Sequence, residues 1–593
     1  MINKNMKNER KLEIMRHSWS HVMAAAVREL WPKVKFAIGP AIENGFYYDF
    51  DFSKIANNAN KKRIERIGEE DLAKIEKKMK HIIKQNLKFS KSEMSVKDAL
   101  AKEKKAGEKY KQELISDLKA EGEKKVSYYQ VGEFADLCRG PHVKSTGELD
   151  KNAFKLTKLA GAYWRGNEKN KMLTRIYGVA FASKKELDEY LEMMAEAEKR
   201  NHIKLGKELD LFSMHEEGPG FPFFHNKGLV IWNQLMKYWK EEHNQEGYQE
   251  IKTPIILNKK LWEQSGHWDN YKENMYFTKI DDDDYAVKPM NCPGGILIYK
   301  SAMHSYKELP LKIAEIGLVH RHELSGTLNG LFRVRAFHQD DAHIYSTEEQ
   351  MKTEVIKVIK LYDRIYKKFD LQYHMELSTK PKKCIGSVKM WKVAENALAS
   401  ALKDIKAKYE LNPGDGAFYG PKIDFHIKDS IGRTWQCGTI QLDFAMPEKF
   451  KLKYIGQDGK EHRPVMIHRT AYGAIERFMG IIIEHYAGAF PVWLSPVQVK
   501  IVSVGEKHVE FSEKLAAEFK KEGIRVEVDS SDETVGNKIR KSVGEKVPYM
   551  LVVGDKEIKS RKLAVRDRGE AKIRNVAKRK FIDEVKDKVA TRD

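Results

Sequence analysis

The amino-acid sequence predicts a multidomain α+β protein, and three observations carry that reading. At 593 residues the chain is too long for one hydrophobic core and calls for three or four domains. Its middle alternates long helical stretches of 3.6-residue periodicity with strands whose polar residues recur at every second position. From Val497 the text changes to strand–helix alternation, an α/β pattern with a mixed sheet expected.

Composition narrows the class. Hydrophobic residues make up 41% and there are ten Trp, enough for sizeable cores. Lys and Arg number 107 against 86 Asp and Glu, a formal charge of +21. Such an excess points to a polyanionic partner, with RNA, DNA and anionic membrane all open. There is no run of eighteen apolar residues, which excludes a transmembrane helix. The N-terminal text MINKNMKNERKLEIMRH lacks the apolar core of a signal peptide. The four cysteines, Cys138, Cys292, Cys384 and Cys437, argue for a reducing, cytoplasmic setting and against a disulfide framework.

Taken in order, the chain opens with a helix expected over Lys11–Leu30, which carries His17 and His21 four apart on one face. Residues 36–50 read as aromatic strands around an Asn-Gly turn, a hairpin signal. Residues 60–122 are Lys/Glu-rich with helical spacing and read as solvated amphipathic helices. Asp136-Leu137-Cys138-Arg139-Gly140-Pro141-His142 is a turn. With His17 and His21 it completes HxxxH and CxxxH pairs, a zinc-type spacing. Residues 184–206 form one charged connecting helix. A long helix, Gly228–Gln245, then leads into Tyr248–Leu257. These shifts place boundaries at 1–183, 184–206, 207–495 and 496–593.

The densest polar text is Arg321–His343, RHELSGTLNGLFRVRAFHQDDAH. Two strand-like runs flank a turn at Ser325–Gly330, so Arg321 and Glu323 share one face and Arg333 approaches across the hairpin. An arginine fork suits phosphate, and a carboxylate beside it accepts from an exocyclic amine. This is an ATP grip without a glycine loop. For Arg321, Glu323 and Arg333 alone, a charged surface hairpin explains the pattern equally well. The following Gln339, Asp340, Asp341 and His343, set among apolar strand residues, favour a site.

These residues resemble motif 2 of the class II aminoacyl-tRNA synthetases, and Gln339-Asp340-Asp341-Ala342-His343 narrows the resemblance to the threonyl-tRNA synthetase family. Met290-Asn291-Cys292-Pro293, Gly416-Ala417-Phe418-Tyr419-Gly420-Pro421-Lys422 and His468-Arg469 through Glu476-Arg477 match further motifs of that family. The resemblance implies a class II catalytic domain over 207–495, an antiparallel sheet with flanking helices. It implies an α+β editing domain over 1–183 and an α/β anticodon-binding domain over 496–593. The implied activity is ATP-dependent ligation of L-threonine to tRNA(Thr) through threonyl-adenylate by a homodimer, with hydrolysis of mischarged seryl-tRNA(Thr).

Residue by residue, the resemblance assigns ATP and Mg²⁺ to a site of Arg321, Glu323, Arg333, Gln436 and Arg477, with Arg321 and Arg477 catalytic. Threonine falls to Gln339, Asp341, Tyr419 and Gln441. One Zn²⁺ per subunit falls to Cys292, His343 and His468, three ligands with an open position. Editing falls to His17, His21, Asp136, Cys138 and His142, without a bound metal. Anticodon reading falls to Glu557 and Arg566, and His267 is placed near the tRNA end. Cys384 and Cys437 read as packing. The two-site design has a physical logic. A metal that takes both amino group and hydroxyl rejects valine. Serine differs by one methyl, which yields only about 1–3 kcal/mol and so needs hydrolytic editing.

Three departures from the family pattern stand out. Only a short tail precedes the editing domain, where members usually carry a small ubiquitin-like domain. Gly295 replaces a usual His, and Asp532 stands at an anticodon-reading Asn of some relatives. Two other readings remain open at this stage: a synthetase-like RNA-binding or regulatory protein, and a metal-dependent ATP-grip enzyme unrelated to tRNA.

Overall fold

The computed structural model describes residues 2–53, 55–56, 63–64, 67–560 and 562–593. Residues 60–62, 65 and 66 of the Lys/Glu-rich stretch, and Arg561 of the basic C-terminal stretch, lie outside the described residues. The chain divides into two compact units, Met1–Ala195 and Glu196–Asp593.

In the first unit the opening helix runs over Ile2–Leu30, longer than its periodic segment suggests. Trp19, Val22, Met23 and Val27 recur at helical spacing and pack on Phe46, Tyr48 and Phe50. The aromatic strand is Gly45–Asp51, and the Asn-Gly turn joins it to the short strand Ala41–Ile42. Gly45 is required, because a Cβ there would lie 2.0 Å from the carbonyl oxygen of Gly178. The sheet continues through Met172–Ala180 to Phe154–Tyr163. The Lys/Glu-rich stretch supplies helices Glu70–Lys84, Val96–Ala106 and Lys109–Ala120. It also holds a strand the periodicity hides, Phe89–Ser95, which is mostly exposed and so shows no apolar alternation.

The connecting segment is two helices rather than one, Lys184–Arg200 and His202–Glu208. Asn201 breaks it, because its side-chain oxygen accepts from the backbone N–H groups of Ile203 and Lys204 at 2.9 and 3.1 Å and caps the second helix.

The second unit is built on an eight-stranded sheet in the order Gln249–Glu250, Leu311–His320, Ala336–Ser346, Val465–Ala474, Thr434–Asp443, Lys422–Lys428, Gln372–Ser378 and Tyr409–Asn412. The two edge pairings are parallel and the rest antiparallel. One face turns Ile344, Ile467, Ile440, Phe425 and Leu377 into a core shared with helices Asn226–Gln245, Glu348–Lys368, Val388–Asp404 and Ile475–His485. Strand alternation leaves the other face for polar residues. Two short segments beside this sheet turn instead of extending. Leu494 and Ser495 both donate to the Pro491 carbonyl, and Gly420 donates to Ala417, so Pro491–Ser495 and Ala417–Gly420 are turns. The C-terminal sheet runs Val526–Asp529, Val499–Ser503, Tyr549–Val553, Lys562–Asp567, Ile573–Ala577. Two of its pairings are parallel and two antiparallel, the mixed sheet expected.

Candidate active site

Sheet register assembles the site. His343 lies opposite His468, which lies opposite Gln441; one row along, Asp341 lies opposite Thr470 and Thr470 opposite Thr439. The hairpin expectation needs correction. The strands end at His320 and begin again at Ala336, so Arg321, Glu323, Arg333 and Arg335 all lie on the connection rather than on strands. Pairing persists only as Arg321 N–H donating to Arg335 O at 2.9 Å and a bridge between Asn329 and Arg333. The loop still joins the two charges: Arg333 Nε donates to Glu323 Oε2 at 2.8 Å.

Cys292 opens the helix Cys292–Lys300, and its Sγ, with one ring nitrogen each of His343 and His468, forms a cluster within 4.8 Å. All three are buried. Burial, with Asp341 and Asp443 nearby, holds the Cys292 thiol well above its ordinary pKa, and burial keeps His343 neutral. A divalent cation is what would turn that thiol into a thiolate. The donor set fits zinc. His468 Nε2 bonds Asp443 Oδ2 at 2.9 Å, which leaves the other ring nitrogen for a metal and supplies the carboxylate that such ligands need behind them. A Cβ on Gly295 would lie 3.5 Å from His343 Nδ1, an ordinary van der Waals contact, so this glycine stands directly beside the cluster.

The cluster forms the floor of a cavity of about 310 Å³ that Gln339, Asp341, Tyr419 and Gln441 also line. Tyr419 hydroxyl bonds Gln441 Oε1. Asp341 accepts from Asn291 Nδ2 at 2.9 Å, and burial pushes its carboxyl up to about 6. A neighbouring cavity of about 250 Å³ is lined by Glu323, Arg333, Gln436 and Arg477. Arg321 and Gln339 belong to both walls, and Arg321 Nη2 donates to Gln339 Oε1 at 3.3 Å. Arg477 is aimed by its bond from Nε to Phe332 O at 3.0 Å.

In the first unit, His17, His21, Cys138 and His142 converge, with ligand atoms within 4.8 Å. Cys138 Sγ lies 3.4 Å from His17 Nε2 and 3.3 Å from His142 Nε2. The His142 ring stacks on Phe89 at 4.9 Å, so the strand missed in the sequence forms a wall of the cluster. Burial lowers the pKa of His17, His21 and His142 and pushes the Cys138 thiol up to about 11. Asp136 stands behind, held by Tyr48 hydroxyl and Lys111 Nζ, each at 2.5 Å. A cavity of about 770 Å³ opens on Cys138 and Arg139.

Other predicted residues are less gathered. Glu557 accepts from Gly554 N–H at 3.0 Å, and Arg566 Nε donates to Glu570 O at 3.1 Å, each within its own turn. His267 is fully buried against Met290 Sδ, 3.0 Å away. Sequence reasoning missed Asn291 and Asp443, although Asp443 is two residues beyond Gln441 on the same strand face. It also missed that Asp340, on the opposite face from Asp341, accepts from Trp239 Nε1, Thr470 Oγ1 and the backbone N–H groups of Ala471, Tyr472 and Gly473.

Residues 276–486 match the class II core domain of tRNA synthetases (G, H, P, S and T). Residues 498–588 match the anticodon binding domain, and 126–177 the second additional domain of threonyl and alanyl tRNA synthetases. A threonine–tRNA ligase of Clostridium botulinum (strain Hall) is 57% identical over 577 residues, 97% of this chain and 88% of that protein. One of Carboxydothermus hydrogenoformans is 58% identical over 573 residues, again 97% and 88%. The crystal structure of the RNA binding domain of threonyl-tRNA synthetase from Cryptosporidium parvum Iowa II superposes with a TM-score of 0.62 at 41% identity, over 65% of this chain and 98% of that one. With a class II core, an anticodon-binding domain and the second additional domain on one chain, and relatives of that identity along nearly all of it, the protein is a member of the threonine–tRNA ligase family of class II aminoacyl-tRNA synthetases.

Proposed function

We propose that the chain joins L-threonine to tRNA(Thr) in two steps and clears seryl-tRNA(Thr) at a second site. The observation that carries this reading is the pair of adjoining cavities with Arg321 in both walls. Threonine in the first and ATP, with its Mg²⁺, in the second bring carboxylate and α-phosphate to the same guanidinium. The carboxylate oxygen attacks α-phosphorus and pyrophosphate leaves; the terminal ribose hydroxyl of tRNA then attacks the carbonyl carbon and AMP leaves. No side-chain nucleophile takes part. Arg321 and Arg477 stabilise charge on the phosphates, and Arg333 and Glu323 clasp the outer nucleotide, which is positioning and electrostatic catalysis. Asp341 meets the substrate ammonium or hydroxyl, and the arriving cation favours its ionised form. Gln339, Tyr419 and Gln441 close around the amino acid, and Gln436 meets the nucleotide.

Cys292, His343 and His468 would hold zinc, which when bound supplies positions for the substrate's amino group and hydroxyl. For editing, neutral His17 orients water against the ester, with His21 and His142 supporting it and Cys138 and Asp136 shaping the pocket, without a bound metal. Glu557 and Arg566 read anticodon bases while surrounding lysines and arginines contact phosphate. Exposed Ile255 and Ile256 beside the Gln249–Glu250 strand support a homodimer through this segment. Among the described residues no helix is long and apolar enough to cross a membrane, and the four free cysteines favour the cytoplasm.

The test is threonine-dependent ATP–pyrophosphate exchange and aminoacylation by zinc-loaded protein, with serine and valine as competitors. Exchange with threonine, weak exchange with serine and none with valine is expected. Loss of exchange with intact tRNA binding would favour a regulator instead.

A further inference from the structure

We propose that His374, Glu376 and His426 form a further divalent-metal site of zinc type on the catalytic sheet, separate from Cys292, His343 and His468. The sequence shows nothing here beyond strand text, because the three residues come from segments fifty positions apart.

The fold brings them together through register. His374 on strand Gln372–Ser378 lies directly opposite His426 on Lys422–Lys428. Glu376, two residues on, projects to the same face. The imidazoles stack with centroids 4.9 Å apart and 16° between planes. Glu376 Oε1 lies 3.5 Å from His374 Nε2, and Glu376 Oε2 lies 3.5 Å from His426 Nε2. One donor atom from each residue falls within 4.8 Å of the others.

The spacing bears on how the three side chains are held together. Hydrogen-bonded N···O pairs sit at about 2.7–3.2 Å. Two donors bonded to one tetrahedral zinc, each at about 2.0–2.2 Å, stand about 3.3–3.5 Å apart. Both observed separations, each to a different oxygen of the Glu376 carboxylate, are longer than a hydrogen bond and leave room for a cation between the carboxylate and the two rings. Asn412 Nδ2 donates to Glu376 Oε2 at 3.2 Å, a bond that fixes the carboxylate as metal-site partners do. Lys422, at the other end of the His426 strand, is paired with Asp415 and Asp424. Side-chain exposures of 41% for His374 and 20% each for Glu376 and His426 leave one side open, where water completes the coordination. Two imidazoles and a carboxylate select Zn²⁺ or Co²⁺ over the Mg²⁺ that accompanies ATP. His426 is also the register partner of Gln436 on the nucleotide cavity wall, so the filled site stands one strand from that cavity.

This inference is independent of the reading of the active site, and its test is a metal count on the full-length protein. Zinc-stripped protein is reloaded with ZnCl₂, gel-filtered and assayed for zinc per protomer. The double variant His374→Ala/His426→Ala is expected to carry one zinc fewer than the unaltered chain. A second measurement uses Cys138→Ser/Cys292→Ser protein titrated with CoCl₂. One equivalent of visible d–d absorption without a thiolate band is expected. Adding His374→Gln or Glu376→Gln should weaken that equivalent at least tenfold with near-UV circular dichroism unchanged. Equal zinc counts, or a cobalt titration indifferent to both glutamine variants, overturns the proposal.

Discussion

Asp443 and His17 show how one side chain takes its role from what stands behind or around it. Asp443 touches no substrate pocket wall, but it accepts from His468 Nε2 and, through its other oxygen, from the backbone N–H groups of Ala445 and Met446 at 2.7 and 2.9 Å. Asp443→Asn keeps an acceptor for those backbone groups and loses the carboxylate behind the ring. Zinc affinity, read by chelator competition, should fall about 10- to 100-fold with the fold intact. At His17, burial lowers the pKa despite a bond to the Pro141 carbonyl. The neutral ring is then present throughout the range above its ordinary value of about 6.5. Enzymatic clearance of seryl-tRNA should therefore be flat from pH 8 down to about 6.5 and decline only at lower pH. His17→Ala should abolish it while leaving threonine activation unchanged. Clearance by the alanine variant at the normal rate would falsify the assignment.

At the scale of elements, the strand Ala336–Ser346 serves both faces of the sheet at once. Gln339, Asp341 and His343 turn toward the cavity, and Asp340 turns into the core to gather five donors, four of them from the neighbouring segment Thr470–Gly473. Burial raises the Asp340 carboxyl, and the bonds oppose that rise. Asp340→Ala strands several buried donors, each worth about 1–3 kcal/mol. Its urea midpoint should fall by an amount equivalent to about 3 kcal/mol or more. The strand bulge it holds also depends on Gly473, whose φ is +76° and whose Cβ would lie 2.9 Å from the Cys437 carbonyl. Two adjacent aspartates thus divide one strand between architecture and chemistry. Their adjacency was plain in the sequence, but which one faced the site was not. That depends on the register with Val465–Ala474, where a bulge falls between Gln339 and Asp341.

At the scale of the whole molecule, the two compact units carry separate cores. In the first, Asp51 accepts from Lys171, Ser53 and Tyr110; burial alone would raise its carboxyl, but these bonds hold it at about 2. The folded value lies below the unfolded one. The stabilisation is therefore complete above about pH 4 and is lost as pH falls toward 2. With Lys171 39% exposed, the contribution is about 1–2 kcal/mol after screening. Asp51→Asn should lower the urea midpoint of this unit at pH 7 and flatten its acid dependence below pH 4. In the second unit, Arg525 reaches from the C-terminal sheet to the carbonyls of Trp493 and Ser495 at 2.8 and 2.9 Å, a tie between two segments that periodicity treats as independent. The sequence by itself determined the family and its class II core, anticodon-binding and second additional domains, because motif text records chemistry that local spacing preserves. Only the tertiary structure decided which residues meet. Asp443 behind His468, Phe89 against His142, and His374 opposite His426 are matters of strand register and helix packing, set by burial across the chain and invisible to any short window of it.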